Sequence, residues 1–170
     1  GASLDNLFSA DGSVAGWVLA DDFGAFIGVT GKANTVPSTG WDLFVNQTTG
    51  ELRFLHRRAT TTGDWQTSAA ISSGVWVHFV LTYNGSNDTN DPIIYLNGSS
   101  VAITETTAPV GAVNSDAADN FTVGAIRTSG FTWDGKIEDA RAFTRILTSE
   151  EAALLAAGYR GPLGGAVGWW

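Results

Sequence analysis

The sequence predicts an all-β domain of antiparallel strands closed as a sandwich or barrel. Strand-like runs recur about every ten residues with turn residues between them. The best patterned run, Trp76 to Tyr83, sets Val77, Phe79, Leu81 and Tyr83 against Trp76, His78, Val80 and Thr82, which is the alternation of a strand and not of a helix. A short β-branched and aromatic run, Ile93 to Leu96, follows a polar loop and ends at Asn97-Gly98, where a backbone turns with positive φ. These two runs are expected to pair as an antiparallel hairpin in the middle of a sheet.

The other elements follow in chain order. Leu4 to Phe8 and Ser13 to Leu19 are short strand-like runs, the second ended by the turn Asp21-Asp22-Phe23-Gly24. Ala25 to Val29 is small and apolar, and Gly31 to Gly40, with Lys32, Asn34 and Pro37, is expected to be a loop. Trp41 to Asn46 and Glu51 to Arg58 form a second hairpin, closed by Gln47-Thr48-Thr49-Gly50 with Gly50 in the left-handed position. Thr60 to Trp65 is polar and expected to be exposed, and Ser72-Ser73-Gly74 turns the chain into the central hairpin. Val101 to Thr106 alternates as a half-exposed strand, Thr107 to Asn120 is a loop, and Phe121 to Ile126 and Gly135 to Phe143 are the last long strands. One helix is signalled from Ser149 to about Ala157. Thr148 and Glu151 are spaced as a capping box, and Gly158 stands at the C-cap. The Gly-rich tail Gly161 to Trp170 ends on two tryptophans whose rings are expected to be buried.

With 170 residues and no shift in composition, the chain is expected to be one domain spanning 1–170. It contains no cysteine, so neither a disulfide framework nor a thiolate site is available. It contains no methionine, so Gly1 is not a translational start and the chain is expected to be a processed or excised piece. A net charge of −8 argues against nucleic acid as a partner, and no apolar run approaches the ~20 residues of a membrane span. Arg53, His56, Arg57 and Arg58 are the local exception. Alternation divides them between two faces of a strand, so they are expected to be solvated.

Four blocks give the chain a family resemblance: Ser13-Val14-Ala15-Gly16-Trp17-Val18; Trp76-Val77-His78-Phe79-Val80-Leu81-Thr82-Tyr83; Ile94-Tyr95-Leu96-Asn97-Gly98; and Gly135-Lys136-Ile137-Glu138-Asp139-Ala140-Arg141, followed by Arg145 to Thr148 and the helix. In this order and spacing they resemble the laminin-G-like jelly rolls of the concanavalin A-like lectin/glucanase superfamily. The resemblance implies a two-sheet antiparallel β-sandwich with one short helix near the end. It does not name a ligand, because folds of this kind host many functions. The family's usual opening strand is missing, and Ala166 to Trp170 looks like it. Residues 161–170 are therefore expected either to complete the sheet as a permuted strand or to belong to a linker.

A glycosidase on this fold needs two carboxyl groups flanking a sugar bond. Glu51, Glu105, Glu138, Glu150 and Glu151 form no such motif, so no catalytic residue is expected. His78 is expected to pack or hydrogen-bond on its sheet. The resemblance implies a structural Ca²⁺ as cofactor, with Glu138 and Asp139 matching a family acidic pair of which one often ligates it; the alternative is that the pair hydrogen-bonds to nearby backbone. A sugar site would use an aromatic platform with polar groups around it. Trp41, Trp65 and Trp133 are the candidate platforms, with Asp42, Asn46, Arg53 and Arg57 as polar neighbours. Function is expected in the loops around Asn34 to Trp41, Thr60 to Trp65 and Thr128 to Asp134. The chain is expected to be a non-catalytic recognition module, extracellular, cell-surface or virion-surface, that binds carbohydrate. The rival expectation is a structural or adhesion module whose partner is a neighbouring protein subunit.

Overall fold

The alternation over 77–83 does what its period requires. Val77, Phe79, Leu81 and Tyr83 are buried in one large core between two sheets, while Val80, from the opposite parity, is buried in a smaller cluster on the other side. The computed structural model describes residues 4–24, 27–34, 38–127 and 131–170. The first strands in chain order are β1 (Asp11–Ala20), β2 (Ile27–Ala33), β3 (Gly40–Val45), β4 (Glu51–His56) and β5 (Gly63–Ala70). The central hairpin is β6 (Val77–Asn84) and β7 (Ile93–Leu96), followed by β8 (Ser99–Val101), β9 (Ile103–Thr107) and β10 (Phe121–Val123). The last elements are β11 (Ala125–Ile126), β12 (Phe131–Thr132), β13 (Gly135–Phe143), α1 (Ser149–Ala156) and β14 (Ala166–Trp169).

The first sheet runs β14-β13-β1-β6-β7-β8 and the second β10-β2-β3-β4-β5-β9, each with antiparallel pairing, while β11 and β12 form a separate two-stranded hairpin. This is the antiparallel β-sandwich with one short helix that the pattern and the resemblance predict. Val14, Val18 and Ile94 from the first sheet meet Val29, Leu43, Val45, Leu52 and Phe54 from the second. Aromatic rings bridge the layers, with Phe8 edge-on to Trp41 at 4.9 Å and Trp65 tilted against Tyr83 at 5.3 Å between centroids. The helix caps the outer face of the first sheet. Thr148 Oγ1 accepts from Glu151 N at 3.2 Å and Glu151 Oε2 from Thr148 N at 3.0 Å, so the capping box forms as its sequence predicts. Ala152 and Leu155 then bury against Ala15, Val80, Tyr95 and Phe143.

Several local expectations are corrected. Leu4 to Phe8 is a turn and not a strand. Leu4, Leu7 and Phe8 are spaced as on one helical turn and all enter the core. Gly31 to Ala33 belongs to β2, and Lys32 is buried because an oxygen shell receives its ammonium: the Asp116 and Asp119 carbonyls at 2.5 and 2.8 Å and Asp5 Oδ1 at 3.2 Å. Pro37 lies outside the described residues. Thr60 to Trp65 leads into β5, with Asp64 and Trp65 buried. Val101 to Thr106 is divided between β8 and β9, on different sheets. The cationic stretch is not a solvated face: His56, Arg57 and Arg58 are all buried. Arg58 donates to the carbonyls of Gly85, Asn87 and Gly111 and to the Tyr83 hydroxyl, and so ties loops to the end of the sandwich. The tail pairs with β13 at the edge of the first sheet, yet Trp169 and Trp170 stay 54% and 52% exposed. Trp169 lies under the Arg141 guanidinium and Trp170 stacks on Phe121. Among the described residues no helix is long and apolar enough to cross a membrane.

Candidate functional site

Alternation along β3 and β4 creates the site. Trp41, Leu43, Val45, Leu52 and Phe54 point into the core, so Asp42, Phe44, Arg53 and Leu55 face outward. Register then makes neighbours of them, with Phe44 opposite Arg53 and Asp42 opposite Leu55. On the far side of β3 the partners of Phe44 and Asp42 are Gly28 and Gly31. A Cβ on Gly28 would stand 2.6 Å from Ile126 N and from Phe131 O, and one on Gly31 would stand 3.2 Å from Ile126 Cγ2. These bare positions let the β11-β12 hairpin lie directly on the sheet. Its Ile126, Arg127 and Phe131 then face Phe44, Arg53 and Leu55 around a pocket of about 170 Å³.

Charge is arranged around this pocket in two ion-pair groups. Arg53 Nε donates to Asp64 Oδ1 at 2.8 Å, and an Arg53 Nη bonds the other Asp64 oxygen. The Asp64 hydrogen bond holds the Arg53 guanidinium above its usual range, against the cost of burial. Arg57 Nη2 and Arg127 Nε both donate to Asp42 Oδ2, at 2.5 and 2.7 Å. Burial pulls Arg57 below its usual range; Asp42 opposes this and the nearby Arg127 adds to it. Two buried atoms in this group have no partner among the described residues, Arg57 Nη1 and Asp42 Oδ1. An orphan donor and an orphan acceptor in one cluster are an unsatisfied polar pair of the kind that water or a ligand hydroxyl can complete. Each outer guanidinium also lies over a ring, Arg53 over Phe44 at 5.9 Å and Arg127 over Phe131 at 5.5 Å.

The residues singled out in the sequence for a sugar site fall in four places. Asp42, Arg53 and Arg57 come together at this site. Trp41 and Trp65 are fully buried in the core, so neither ring can serve as a platform; Trp65 Nε1 donates inside to Asp91 Oδ1 at 2.7 Å. Asn46 is a turn residue whose side chain accepts from Thr48 N at 3.0 Å, away from the pocket. Trp133 is half-buried, donates to the Leu19 carbonyl at 3.0 Å, and lines a separate open cleft with Asp22 and Asp134. Of the loop Thr128 to Asp134, residues 128–130 lie outside the described residues. Phe44, Leu55, Ile126, Arg127 and Phe131 were not among the sequence candidates. Parity alone marks Phe44 and Leu55 as sharing a face with Asp42 and Arg53, and Gly28 and Gly31 mark where something must cross that face.

The pair matched to calcium does not fit that ion. Arg141 Nε and Nη2 occupy both oxygens of Asp139, at 2.8 and 3.0 Å, and Arg160 stands 3.8 Å away. Glu138 is exposed and faces Arg160 at 3.5 Å. Two guanidiniums beside the carboxylates supply the positive charge that a hard cation would bring. Among the described residues no group of three or more His, Asp or Glu side chains is assembled for a metal.

Comparison with known proteins agrees with the architecture. A family model described as the concanavalin A-like lectin/glucanases superfamily matches residues 2–153. No curated protein matches the chain significantly. Among solved structures, a Bacteroides ovatus protein described as carbohydrate-binding superposes with a TM-score of 0.69 at 14% identity, over 96% of this chain and 45% of that one. The chain thus spans less than half the length of that relative. The CBM40 of the Ruminococcus gnavus IT-sialidase, bound to α2,3-sialyllactose, gives 0.68 at 15% identity over 86% and 83%. A heptameric SAP-like pentraxin from Limulus polyphemus gives 0.58 at 18% identity over 86% and 70%. At such identities these likenesses speak to the fold.

Proposed function

The chain belongs to the concanavalin A-like lectin/glucanases superfamily, and on that premise we propose that it is a non-catalytic carbohydrate-binding module. One observation carries the reading: the outward pocket of β3, β4 and the β11-β12 hairpin has an apolar wall and floor flanked by arginines. A pyranose presents an apolar face and a rim of hydroxyls, and this lining offers surface for the first and hydrogen-bond donors for the second. The two carboxylates of this face support a binding role over a hydrolytic one, since Asp42 and Asp64 are both engaged by arginines. Its setting is outside the cytoplasm, on a cell surface or a virion, where glycans are met.

A protein-interaction module is the second reading, and the tail favours it. Trp169 and Trp170 are more than half exposed beside an edge strand, where a neighbouring subunit could cover them. A glycan array probed with the whole chain, with and without chelator, separates the two. The first reading expects binding to a subset of glycans, unchanged by chelator because Arg141 already holds Asp139. Binding to no glycan transfers the assignment to the protein-interaction module.

A further inference from the structure

We propose that the saccharide bears a carboxylate, as sialic and uronic acids do, and that Arg53 and Arg127 receive it. This deepens, and rests on, the reading of the β3-β4 pocket as a carbohydrate site. The protein is acidic, with 17 Asp and Glu against nine Lys and Arg, and a surface of that charge repels acidic glycans. Three of those nine cations nevertheless gather on this one face, where Asp64 pairs with Arg53 and the single carboxylate of Asp42 is shared by Arg57 and Arg127. Glu51, farther along β4, is taken by Gln66 and does not line the pocket.

The two outer arginines keep donors in reserve. Asp64 takes Nε and one Nη of Arg53, and Asp42 takes only Nε of Arg127, which leaves terminal N–H groups of both without an acceptor among the described residues. Their planes are already fixed, by the aspartates at one edge and by Phe44 and Phe131 beneath. A guanidinium held in this way meets the two in-plane oxygens of a carboxylate at little entropic cost, and the charge-assisted bonds are about twice as strong as those to a neutral hydroxyl. Leu55, Ile126 and Phe131 supply the apolar contact for the ring that carries the acid. At about 170 Å³ the pocket is smaller than the ~300–1,000 Å³ typical of drug-sized ligands, so it takes a single sugar residue.

Calorimetric titration of the whole chain with matched pairs tests this. The pairs are 3′-sialyllactose against lactose, and an oligogalacturonate against its methyl ester, with sulfated lactose as a second anion. In at least one pair the acid is expected to bind about tenfold tighter than its neutral partner, a difference of ~1.4 kcal/mol. The pair that responds identifies the acid as sialic or uronic. The preference should shrink as salt rises and collapse in Arg127→Gln, with Arg127→Lys restoring only part of it. Equal binding within both pairs overturns the carboxylate inference and leaves the saccharide reading intact. Sulfated lactose binding as tightly as the preferred acid overturns the choice of carboxylate. Failure to bind any saccharide here or on the array overturns both readings.

Discussion

Arg57 and Arg127 close on the same carboxylate oxygen, Asp42 Oδ2, at 2.5 and 2.7 Å. One comes from the end of β4 and the other from the tip of a hairpin laid across the sheet. Asp42 is therefore the point where the pocket's floor is fastened to its wall. Asp42→Asn keeps the shape and removes the charge, leaving two guanidiniums facing a neutral amide. Breaking a buried pair from one side costs about 3–5 kcal/mol, and urea unfolding should show a loss of that size. A loss under about 1 kcal/mol would mean that water screens this cluster.

Lys32 gives a second electrostatic test. Its side chain is 1% exposed, and its ammonium is bonded to two carbonyls and paired with Asp5 and Asp116. Burial pushes the Asp116 carboxyl up, against the opposing pull of its Asn6 hydrogen bond and of Lys32. Lys32→Met leaves those oxygens facing a thioether, and we expect a loss of about 3–5 kcal/mol in urea unfolding.

How much of this was legible in the sequence depends on the kind of signal. Alternation at Val77 to Tyr83, the positive-φ turn at Asn97-Gly98 and the capping box at Thr148 and Glu151 are local, and each appears in the fold where its chemistry puts it. Lys32 looked like a loop residue because the oxygens that bury it come from Asp5 and from Asp116 to Asp119, far away in the chain. Trp41 and Trp65 looked like loop platforms because they stand near strand ends, where residue type alone does not separate a core ring from a surface ring. Half of the pocket comes from a hairpin that crosses β2 at Gly28 and Gly31. A contact between strands distant in sequence leaves no periodic trace; only its small residues hint at it.

Acid should destabilise the fold before its carboxylates titrate. Burial, with Arg58 and Arg57 nearby, lowers His56 to about 3. Burial, opposed by Asp139 and reinforced by Arg141, lowers His78 to about 4. The unfolded imidazoles take protons near 6.5 while the folded ones do not. Stability is therefore full above that value and falls as pH drops toward the folded values, by ~1.4 kcal/mol per pH unit for each histidine. Urea midpoints between about pH 7 and 5 should fall accordingly. The slope should be roughly halved in His78→Phe, whose ring keeps the contact with Trp17. A flat profile in the unaltered protein would contradict the burial of both imidazoles.

The tail should be integral to the first sheet. Trp170 exchanges two main-chain hydrogen bonds with Ala140, at 2.8 and 2.9 Å, and stacks on Phe121 at 5.0 Å. Arg141 donates to the Gly161 carbonyl at 2.9 Å. Deleting residues 161–170 should remove about 2 kcal/mol or more, which at this size is a fall of ~4–8 °C in Tm. An unchanged Tm would show that the pairing with β13 contributes nothing.

The central claim is that the pocket of Phe44, Leu55 and Arg127 is where glycan binds, and a pocket-filling substitution tests it most directly. Leu55 is half-buried and takes no part in the ion pairs, so Leu55→Trp can occupy the pocket while leaving Asp42 and Asp64 in place. Titration of the best glycan from the array should show binding lost in Leu55→Trp at an unchanged Tm, and retained in Trp133→Ala and Trp169→Ala. Full binding by Leu55→Trp, or loss in Trp133→Ala with Leu55→Trp unaffected, would contradict the assignment and move the site to the cleft beside Asp22 and Asp134.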